Sequence, residues 1–541
     1  MTTEEIAGAL KLTAQLQELH GVNPFKIKAL ANAAYRLDKT DINLEGKTPE
    51  ELSTIEGIGK GIAAKIYELQ TTGKLSELEE VLAITPAGVI EMLRIKGIGP
   101  KKVGQLWREL LVESPGELLY ACTENRLVDL KGFGLKTQAA VKKFIEFSME
   151  NKGKFHYASC EPTAFAAVEF LKEQTGSELI SLTGNIRRKT IIIESIEIIA
   201  VVDEAQINFE KFENPRQVPV RVTTCSEDEF YSVLFRTTAS PAHLQQLDTL
   251  SYRGDENPES EEDIYAGYEL DYIEPELREG LGEIMLAQNS KLPKLVEEAD
   301  LKGILHNHST YSDGMHTLEQ MANRCRELGY SYFGICDHSQ SAFYASGMKP
   351  DRVSDQQLEI DELNKKMFPF KIFKGIESDI LNDGSLDYTE DILKTFDFVV
   401  ASVHSNLKMD KEKATARLLK AIENPYTSIL GHPTGRLLLS REGYAIDHKK
   451  IIDACAANGV AIELNAHPYR LDIDWTWIPY CMEKGVLISI NPDAHEAERL
   501  KDLHWGTIAA RKGMLTKEFC LNAMPVDEIG NWFKKKKLPI T

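Results

Sequence analysis

The chain has 541 residues, which allows roughly three or four domains, and its 43% hydrophobic content is ordinary for a globular protein. Its acidic start, MTTEEIAGALKL, and the lack of a run of about 18 apolar residues argue against a signal peptide and a membrane span, so we expect a cytoplasmic protein without a membrane partner. The net charge of −20 by itself argues against a nucleic-acid partner, but the charge is unevenly distributed along the chain. Residues 251–300 hold 15 acids and 4 bases, whereas residues 1–150 hold 21 acids and 19 bases and are nearly neutral.

Three similar segments occur in the N-terminal region: IEGIGKGIAAKI from Ile55, IKGIGPKKVGQL from Ile95 and LKGFGLKTQAAV from Leu130. Each has an apolar-x-Gly-apolar-Gly turn before a helical pattern, and glycines let such a turn approach a phosphate that the next helix N-terminus can bind. One such turn is usually an ordinary helix connection, but three copies with basic neighbours favour contacts to a nucleic-acid backbone. The residues concerned are Gly57, Gly59, Lys60, Gly97, Gly99, Lys101, Lys102, Gly132, Gly134 and Lys136.

These segments resemble helix-hairpin-helix motifs, which implies sequence-independent and salt-sensitive binding to DNA. The first segment also resembles the amino-terminal lyase domain of family X DNA polymerases. That resemblance puts Lys65 where the family carries a Schiff-base lysine that removes 5′-deoxyribose phosphate. A lysine beside phosphate-binding turns is more commonly a simple phosphate contact, so both roles stay open for Lys65.

The middle of the chain begins with an apolar helical pattern, TAFAAVEFLKEQ, and continues with GNIRRKTIIIESIEII from Gly184. A glycine, a small polar residue and an arginine pair before a β-branched run indicate a phosphate-binding turn that leads into a strand. With VPVRVTTCSEDEFYSVLFRTTASPAHLQQL and SEEDIYAGYELDYIEPELREG downstream, this order of segments resembles the palm and thumb of a bacterial family X DNA polymerase. By this resemblance Arg187 and Arg188 match the family's turn and are expected to contact DNA.

The palm segment lacks the carboxylates that polymerisation needs. The family's strand follows a Gly-Ser-x-Arg-Arg turn with an Asp-x-Asp pair, and Asn185, Ser195 and Glu197 stand at these positions, while a third aspartate has no counterpart in VPVRV. Two-metal phosphoryl transfer needs carboxylates that bridge ions about 3.5–4 Å apart. Glu194 is no substitute, because a strand of period 2 points Glu194 and Glu197 to opposite faces. We therefore expect a degenerate palm that organises DNA without polymerising.

Ten of the thirteen histidines occur beyond Asp300, among seven apolar, strand-like runs: KGILHNHS, YSYFGICDHS, FKIFKGIESD, DFVVASVHS, YTSILGHP, GVAIELNAH and GVLISINPDAH. Helical stretches such as TLEQMANRCRELG separate several of them. Alternating strands and helices predict parallel strands whose carboxyl ends meet at one mouth when the sheet closes into a barrel. Side chains at or just after these ends predict a convergent site made of His306, His308, Asp313, His338, Glu377, His404, His432, Asp493 and His495.

The chemistry of these side chains indicates metal binding. A single histidine near a strand end is commonly a hydrogen-bonded loop residue, but nine imidazoles and carboxylates at one mouth have no comparable structural explanation. Nitrogen and oxygen ligands without thiolate suit Zn²⁺, Mn²⁺ or Fe²⁺, and nine ligands are too many for one ion, so we expect two or three divalent ions. Arg436 and Arg470 are expected either to steady a substrate phosphate or to be ordinary solvated charges.

The segments HNHSTYSDG, CDHS, GIESDIL, ASVHS, GHPTGR and DAH resemble the polymerase and histidinol phosphatase (PHP) domain attached to bacterial family X polymerases. All nine positions of the family's trinuclear site are occupied. The resemblance implies one ion on His306, His308, Glu377 and Asp493, a second on Asp313, His338 and His495, and a third on His404 and His432, with Glu377 as a bridge between the first and the third.

Together these resemblances imply a multidomain chain. It comprises an α-helical helix-hairpin-helix region (1–150), an α+β nucleotidyltransferase-like palm that is degenerate (151–240), a thumb-like segment with a solvated acidic linker (241–299) and a (β/α)7 PHP barrel (300–541). The implied activity is a metal-dependent 3′-5′ exonuclease in base excision repair, acting on gapped, nicked or 3′-ended duplex DNA and extending to abasic or blocked 3′ ends. The alternatives are an active gap-filling polymerase with a proofreading nuclease, a phosphatase for small phosphoesters and a non-catalytic DNA-binding scaffold; the oligomeric state stays open.

Overall fold

The computed structural model describes residues 1–39, 44, 46–128, 130–150 and 153–536. The chain divides into two compact units, Met1–Glu146 and Phe147–Thr541. Each unit has a hydrophobic core of its own, the larger of which lies in the C-terminal barrel. Among the described residues, no helix combines the length and the apolar character that a membrane crossing requires.

The described residues of the N-terminal unit form helices and short connections. Sequence signals set several boundaries, because Thr2 and Thr48 begin helices with reciprocal capping boxes and Gly73 ends another in the left-handed conformation. The helices are α1 (Thr3–Leu19), α2 (Pro24–Lys39), α3 (Pro49–Ser53), α4 (Lys60–Thr72), α5 (Ser76–Ala83), α6 (Ala87–Met92), α7 (Pro100–Glu109), α8 (Pro115–Thr123) and α9 (Leu135–Glu150).

The three repeated turns share one geometry. The first glycine of each turn, Gly57, Gly97 or Gly132, has a positive φ of 85°, 98° or 87°, which residues with a Cβ rarely adopt. The residue after that glycine donates its N–H to the carbonyl three positions earlier, at 2.9, 3.4 and 2.9 Å. Gly59 and Gly99 cap α4 and α7 without a side-chain hydrogen bond, which leaves helix N–H groups open to an anion. The predicted helix-hairpin-helix architecture is confirmed.

The second unit begins with a small α+β subdomain. Strand β4 pairs with β2 antiparallel and with β5 parallel, while β1 and β3 form a separate antiparallel pair. Ile196 and Ile198 of the central strand pack with the long helix, and Ile199 packs on the other face with Phe230 and Leu234. The elements are β1 (Phe155–His156), α10 (Tyr157–Thr175), β2 (Ile180–Thr183), α11 (Gly184–Arg187), β3 (Ile192–Ile193), β4 (Ile196–Ala200), β5 (Val220–Thr224) and α12 (Phe230–Thr238).

The segment from 241 to 299 is folded, with α13 (Pro241–Leu247), α14 (Glu261–Gly267) and α15 (Glu283–Gln288). Glu261 is 4% exposed and accepts hydrogen bonds from Arg187 at 2.9 and 2.6 Å and from Arg278 at 2.5 Å. The expected solvated acidic linker therefore needs correction at Glu261. Two guanidinium groups neutralise its carboxylate and donate hydrogen bonds to both oxygens. These contacts offset the desolvation cost of burying the charge.

The C-terminal region is a barrel of seven parallel strands in sequence order, and an Asn307–Ala494 bridge links the ends of the first and last strands. All seven predicted strands are present, and the (β/α)7 architecture is confirmed. The elements are β6 (Gly303–Ile304), α16 (Leu318–Glu327), β7 (Tyr332–Ile335), α17 (Pro350–Lys366), β8 (Lys371–Asp379), α18 (Glu390–Leu393), β9 (Phe398–Ser402), α19 (Lys411–Ile422), β10 (Ile429–Leu430), α20 (His448–Asn458), β11 (Ala461–Asn465), α21 (Ile478–Glu483), β12 (Ile488–Asn491), α22 (Leu503–Lys512) and α23 (Val526–Lys536).

Helix α23 covers the amino-terminal ends of the barrel strands. Phe533 stacks on Phe398, the first residue of β9, with ring centroids 4.8 Å apart, and meets Phe373 of β8 edge-on at 5.3 Å. Aromatic packing of this kind adds about 0.5–1.5 kcal/mol per pair beyond area burial. This end of the barrel is therefore closed by packing, and functional groups are expected at the opposite, carboxyl end.

Helix α22 of the barrel joins the palm-like subdomain. His504 lies between two carboxylates, with Nε2 3.1 Å from Glu161 Oε2 and Nδ1 2.5 Å from Glu298 Oε1. Hydrogen bonds to Glu161 and Glu298 raise the pKa of His504 to about 9. Lys512 is 3% exposed and donates to the carboxylate of Glu279 and to the main-chain carbonyls of Arg188 and Glu276. Both contacts fix the palm-like subdomain to the barrel.

The His504→Gln variant is expected to be less stable than the wild type only at neutral and acid pH. The folded-state pKa of His504 lies above the ordinary histidine value of 6.5, so the stabilisation is complete below about pH 6.5 and disappears as the pH rises through about 9. Because the side chain is 39% exposed, we expect only about 1 kcal/mol after allowance for solvent screening. Denaturant unfolding at about pH 6 and pH 10 measures it; an undiminished difference at pH 10 contradicts the ion-pair explanation.

Candidate metal centre

Glu377 of β8 lies at the centre of the predicted ligand cluster and is fully buried. Its Oε1 is 3.3 Å from His306 Nε2, 3.2 Å from His404 Nε2 and 3.0 Å from His432 Nε2. Its Oε2 is 2.8 Å from His338 Nδ1 and 3.7 Å from His308 Nε2. Five imidazoles from four strand ends therefore surround one carboxylate, as the convergence of parallel strands at a barrel mouth requires.

Two aspartates complete the cluster. Asp493 Oδ1 lies 2.9 Å from His308 Nε2 and 3.5 Å from His306 Nε2. Asp313 Oδ1 lies 3.2 Å from His495 Nε2 and 3.6 Å from His338 Nε2. The ligand atoms form overlapping groups within 4.8 Å of one another: His308, Asp313, His338 and His495; His306, Glu377 and His432; His306, His308 and Asp493; and His338, Glu377 and His404. The structure thus brings all nine predicted residues together.

The donor set fits divalent metal ions. A metal–nitrogen distance of about 2.1 Å separates tetrahedral ligands by roughly 3.4 Å, which is close to most of the separations in the cluster. Burial, and after it the charges of His495 and His338, lowers the pKa of His308 to about 3. Burial, and after it Arg470, lowers the pKa of His432 to about 3. Both shifts favour the neutral imidazole, which is the form that binds a metal.

Two of these residues have an unusual backbone conformation. His306, after the first barrel strand, has φ 56°, and Asp493, after the last strand, has φ 52°. For residues other than glycine this left-handed conformation costs on the order of 1–3 kcal/mol. It persists only where surrounding contacts enforce it, and such residues cluster at functional sites. His306 and Asp493 lie in the same ligand group, so the strain is stored at the point where the barrel closes.

Two buried carboxylates that the sequence reasoning missed orient the histidines. Glu463 of β11 accepts a hydrogen bond from His306 Nδ1–H at 2.9 Å and another from the His432 N–H at 2.8 Å. Asp379 of β8 accepts one from His404 Nδ1–H at 2.7 Å. These bonds fix each ring so that Nε2 points to Glu377. Carboxylates of this kind hold ligating histidines in the required tautomer and raise their basicity.

Both missed residues carry a signal in the sequence. Glu463 interrupts the apolar run GVAIELN, and a carboxylate inside a fully buried parallel strand needs a specific partner. Asp379 follows Glu377 by two positions, which puts both side chains on one face of β8. Both residues are therefore charged side chains that belong to apolar, strand-like runs, and this is the signal that could have identified them.

The two arginines predicted near the substrate differ in their surroundings. Arg436 donates to Asp474 Oδ2 at 2.5 Å and to the carbonyl of Arg470 at 3.0 Å, and it also binds the carbonyl of Leu471. Its guanidinium therefore braces the loops after β10 and β11. Arg470 is 4% exposed and close enough to His432 to lower the pKa of that histidine. Arg470 is the better placed of the two for a phosphate at the cluster.

In the palm-like subdomain, Glu197 faces the turn that precedes it. Glu197 Oε2 accepts the N–H of Asn185 at 3.0 Å, and a Cβ on Gly184 would lie only 1.5 Å from that oxygen. The carboxylate therefore caps α11 and fills the space beside the turn. Ser195 is 4% exposed, and the register of β4 and β5 puts Arg221 opposite Glu197. A cation beside the single remaining acid disfavours a metal pair at this position.

Other predicted contact residues have internal partners. Arg187 is paired with Glu261, and Arg188 is 8% exposed and donates to the carbonyl of Thr238 at 2.5 Å and to Glu279 at 3.2 Å. These contacts favour a structural role for both arginines over DNA binding. Of the basic residues of the repeats, Lys60, Lys101 and Lys136 are exposed, and Lys102 lies over the Phe133 ring at 4.9 Å.

Lys65 of α4 lines a cavity of about 650 Å³, together with both glycines of the first repeat. Its ammonium group forms an ion pair with Glu77. The lyase role of Lys65 stays a prediction.

Comparison with known proteins bears on all these regions. The chain is 32% identical over 572 aligned residues to the DNA polymerase/3′-5′ exonuclease PolX of Bacillus subtilis (strain 168), which covers 99% of this chain and 100% of that protein. The chain belongs to the family X DNA polymerases with a C-terminal PHP domain. In this family X member, a PHP domain matches residues 305–467, a helix-hairpin-helix domain residues 1–75 and a SAM-like helix-hairpin-helix tandem residues 89–145.

Other relatives of this family X protein are shorter. A probable phosphatase of Thermoanaerobacter sp. (strain X514) is 28% identical over 39% of this chain and 92% of that protein. A histidinol phosphate phosphatase structure from Lactococcus lactis has 19% identity, covers 39% of this chain and 94% of that chain, and superposes with a TM-score of 0.32, too low to support an argument. The helix-hairpin-helix matches support DNA binding by this family X member, and the PHP match supports a metal-dependent hydrolase domain.

Proposed function

We propose that the protein is a metal-dependent 3′-5′ exonuclease that acts on DNA in base excision repair, and that its palm no longer polymerises. One contrast carries this proposal. The barrel gathers eight further candidate ligands around Glu377, whereas the palm has Ser195, Glu197 and Arg221 in and beside the strand where polymerisation needs aspartates. This contrast supports phosphodiester hydrolysis over nucleotide transfer as the activity of the chain.

Two or three Zn²⁺, Mn²⁺ or Fe²⁺ ions are the proposed cofactors, held by the nine predicted ligands. Bound ions of this kind supply hydroxide near neutral pH and neutralise charge on the phosphate oxygens. The protein's own residues do the positioning: Glu463 and Asp379 hold the imidazole rings, and the barrel buries the cluster so that charges interact strongly. No side-chain nucleophile is required. Arg470 adds a buried positive charge for the substrate phosphate.

The proposed substrate is gapped, nicked or 3′-ended duplex DNA. The open helix N-termini after Gly59 and Gly99, with exposed Lys60 and Lys101 beside them, suit contacts to phosphates. Such contacts carry no sequence information and weaken steeply with salt. They support DNA as substrate in preference to a small phosphoester, and processing of abasic or blocked 3′ ends is an extension of the same chemistry.

Gap-filling polymerisation is the second candidate function. The observation in its favour is the relative from Bacillus subtilis, which is named a DNA polymerase as well as an exonuclease and aligns over 99% of this chain. The palm fold is also retained, with β4 and β5 paired in parallel beside α10. Against it stands Glu197, whose carboxylate is engaged by the turn of α11.

The test of nuclease function uses a 5′-labelled primer in a one-nucleotide-gapped duplex with Mn²⁺, beside a His306→Ala/His308→Ala variant. We expect stepwise shortening of the primer that is lost in the double variant and kept in a His448→Ala control, since His448 of α20 stacks on Trp477 outside the cluster. Shortening that survives in the double variant would place the nuclease elsewhere. Absence of shortening by the wild type would overturn the proposal.

A further inference from the structure

An exposed aromatic side chain stands at the rim of the metal cluster. Phe343, in the loop after β7, is 67% exposed. Its ring lies 5.9 Å from the ring of Tyr344, and the Tyr344 ring lies 6.2 Å from both His338 and His404. Phe343 is therefore one aromatic ring removed from two of the predicted ligands. Nothing in the metal site itself requires a phenyl ring at this position.

The loop that presents Phe343 is firmly anchored to the site. Ser341 donates its N–H to Asp387 at 2.7 Å and its hydroxyl to Asp379 at 2.9 Å, and Asp379 also holds His404. The two arms of the loop approach so closely that a Cβ on Gly347 would lie 2.0 Å from the Ser339 carbonyl oxygen. The loop that carries the exposed ring is therefore anchored by the same carboxylate that orients a predicted ligand.

Exposure of this ring has an energetic consequence. Burial of a phenylalanine side chain stabilises a protein, and Phe343, which is 67% exposed, forgoes most of this stabilisation in the free protein. Basic side chains follow in the next segment of the chain: Lys349, before α17, is exposed, and Arg352 lies over the Tyr311 ring at 5.2 Å. Exposed aromatic rings and basic side chains are the groups that bind the bases and the backbone of a single strand.

We propose that Phe343 stacks on the unpaired 3′-terminal base of the strand that is degraded. This inference rests on the proposed exonuclease function and adds a positioning residue to it. In a duplex both faces of an internal base are covered by neighbouring bases, so a ring at the rim engages a terminal base that has left the helix. Frayed, mismatched or single-stranded 3′ ends are then better substrates than paired ends. Phe343 acts as a positioning residue for the scissile phosphate.

The test removes the ring and the base separately. Phe343→Ala and Phe343→Leu are compared with the wild type on two 5′-labelled single strands, one with an ordinary 3′-terminal nucleotide and one with an abasic 3′ end. With the base present, we expect both variants to lower kcat/KM by roughly tenfold to a hundredfold, the range that loss of one stacking contact gives. With the base absent, the loss shrinks below about twofold. Phe343→Tyr is expected to restore the wild-type value.

The control is Phe368→Ala, since Phe368 is 84% exposed and lies before β8, at the other end of the strand from Glu377. It is expected to leave both substrates unaffected. Equal losses on the base-containing and abasic strands would overturn the stacking inference, as would no loss on either.

A second readout does not depend on hydrolysis. A single strand with 3′-terminal 2-aminopurine is titrated with the His306→Ala/His308→Ala protein, and fluorescence quenching reports stacking. We expect quenching that disappears when Phe343→Ala is added to the double variant; unchanged quenching contradicts the inference. If the wild type fails to shorten any DNA, the exonuclease proposal falls, and this titration still decides the role of Phe343.

Discussion

The Glu377→Gln variant is expected to lose at least about a thousandfold in the rate of 3′-end hydrolysis, because one carboxylate serves several ligand groups at once. Glu377 approaches five imidazoles from four strand ends; burial alone would raise its pKa, but the charges of His404 and His306 bring the pKa well below the usual range, so it is ionised in the cluster. The amide keeps the size of the side chain and removes its negative charge. Single-turnover exonuclease kinetics measure the loss, and metal analysis after dialysis is expected to show less than the wild-type metal content.

Glu362→Gln is the matched control, since Glu362 of α17 is an exposed glutamate outside the cluster. It is expected to keep wild-type rate and metal content. A Glu377→Gln protein with normal metal content and a rate within about tenfold of wild type would mean that Glu377 is not a shared ligand.

The Glu463→Gln variant is expected to lower metal affinity or activity by about 10–100-fold, the usual effect of removing a carboxylate that orients ligands. Glu463 accepts from both His306 and the His432 main chain, and an amide offers one acceptor oxygen where two are needed. Because the defect is one of ligand orientation, a higher Mn²⁺ concentration should restore much of the rate.

Metal titration separates this positioning role from a merely structural one. A Glu463→Gln protein that melts like the wild type and regains activity with added Mn²⁺ agrees with the positioning role. A constant loss at all Mn²⁺ concentrations would contradict it. Glu412→Gln, at an exposed glutamate of α19, serves as the control and is expected to titrate like the wild type.

The barrel and its ligands were accessible from the sequence because two local signals coincide there. Each apolar run gives a strand, and parallel strands must end at one mouth, so residues as distant as His306 and His495 were predicted to meet without any knowledge of their contacts. The helix-hairpin-helix turns were accessible for a similar reason, since Gly57 and its counterparts need positive φ.

Long-range partners explain what the sequence did not reveal. Arg187 pairs with Glu261, which lies 74 positions further along the chain. From the sequence the turn with Arg187 was predicted to bind phosphate and Glu261 to lie in a solvated linker. The structure instead joins the two in a buried ion pair. Glu463 was not predicted because it lies inside a strand, whereas the predicted ligands lie at or just after strand ends. The exposure of Phe343 depends on how its loop folds, which the alternation of apolar residues does not encode.

The measurement that tests the central claim most directly is primer extension by the His306→Ala/His308→Ala protein on a one-nucleotide-gapped duplex with Mn²⁺ and all four dNTPs. Disabling the barrel site prevents degradation of any product, so even slow nucleotide addition becomes visible. A palm in which the Glu197 carboxylate accepts the N–H of Asn185, and in which Arg221 is paired in register with Glu197, predicts a primer that is neither shortened nor extended. Extension by one nucleotide, templated by the gap, would contradict the claim that this chain is a nuclease on an inert polymerase scaffold.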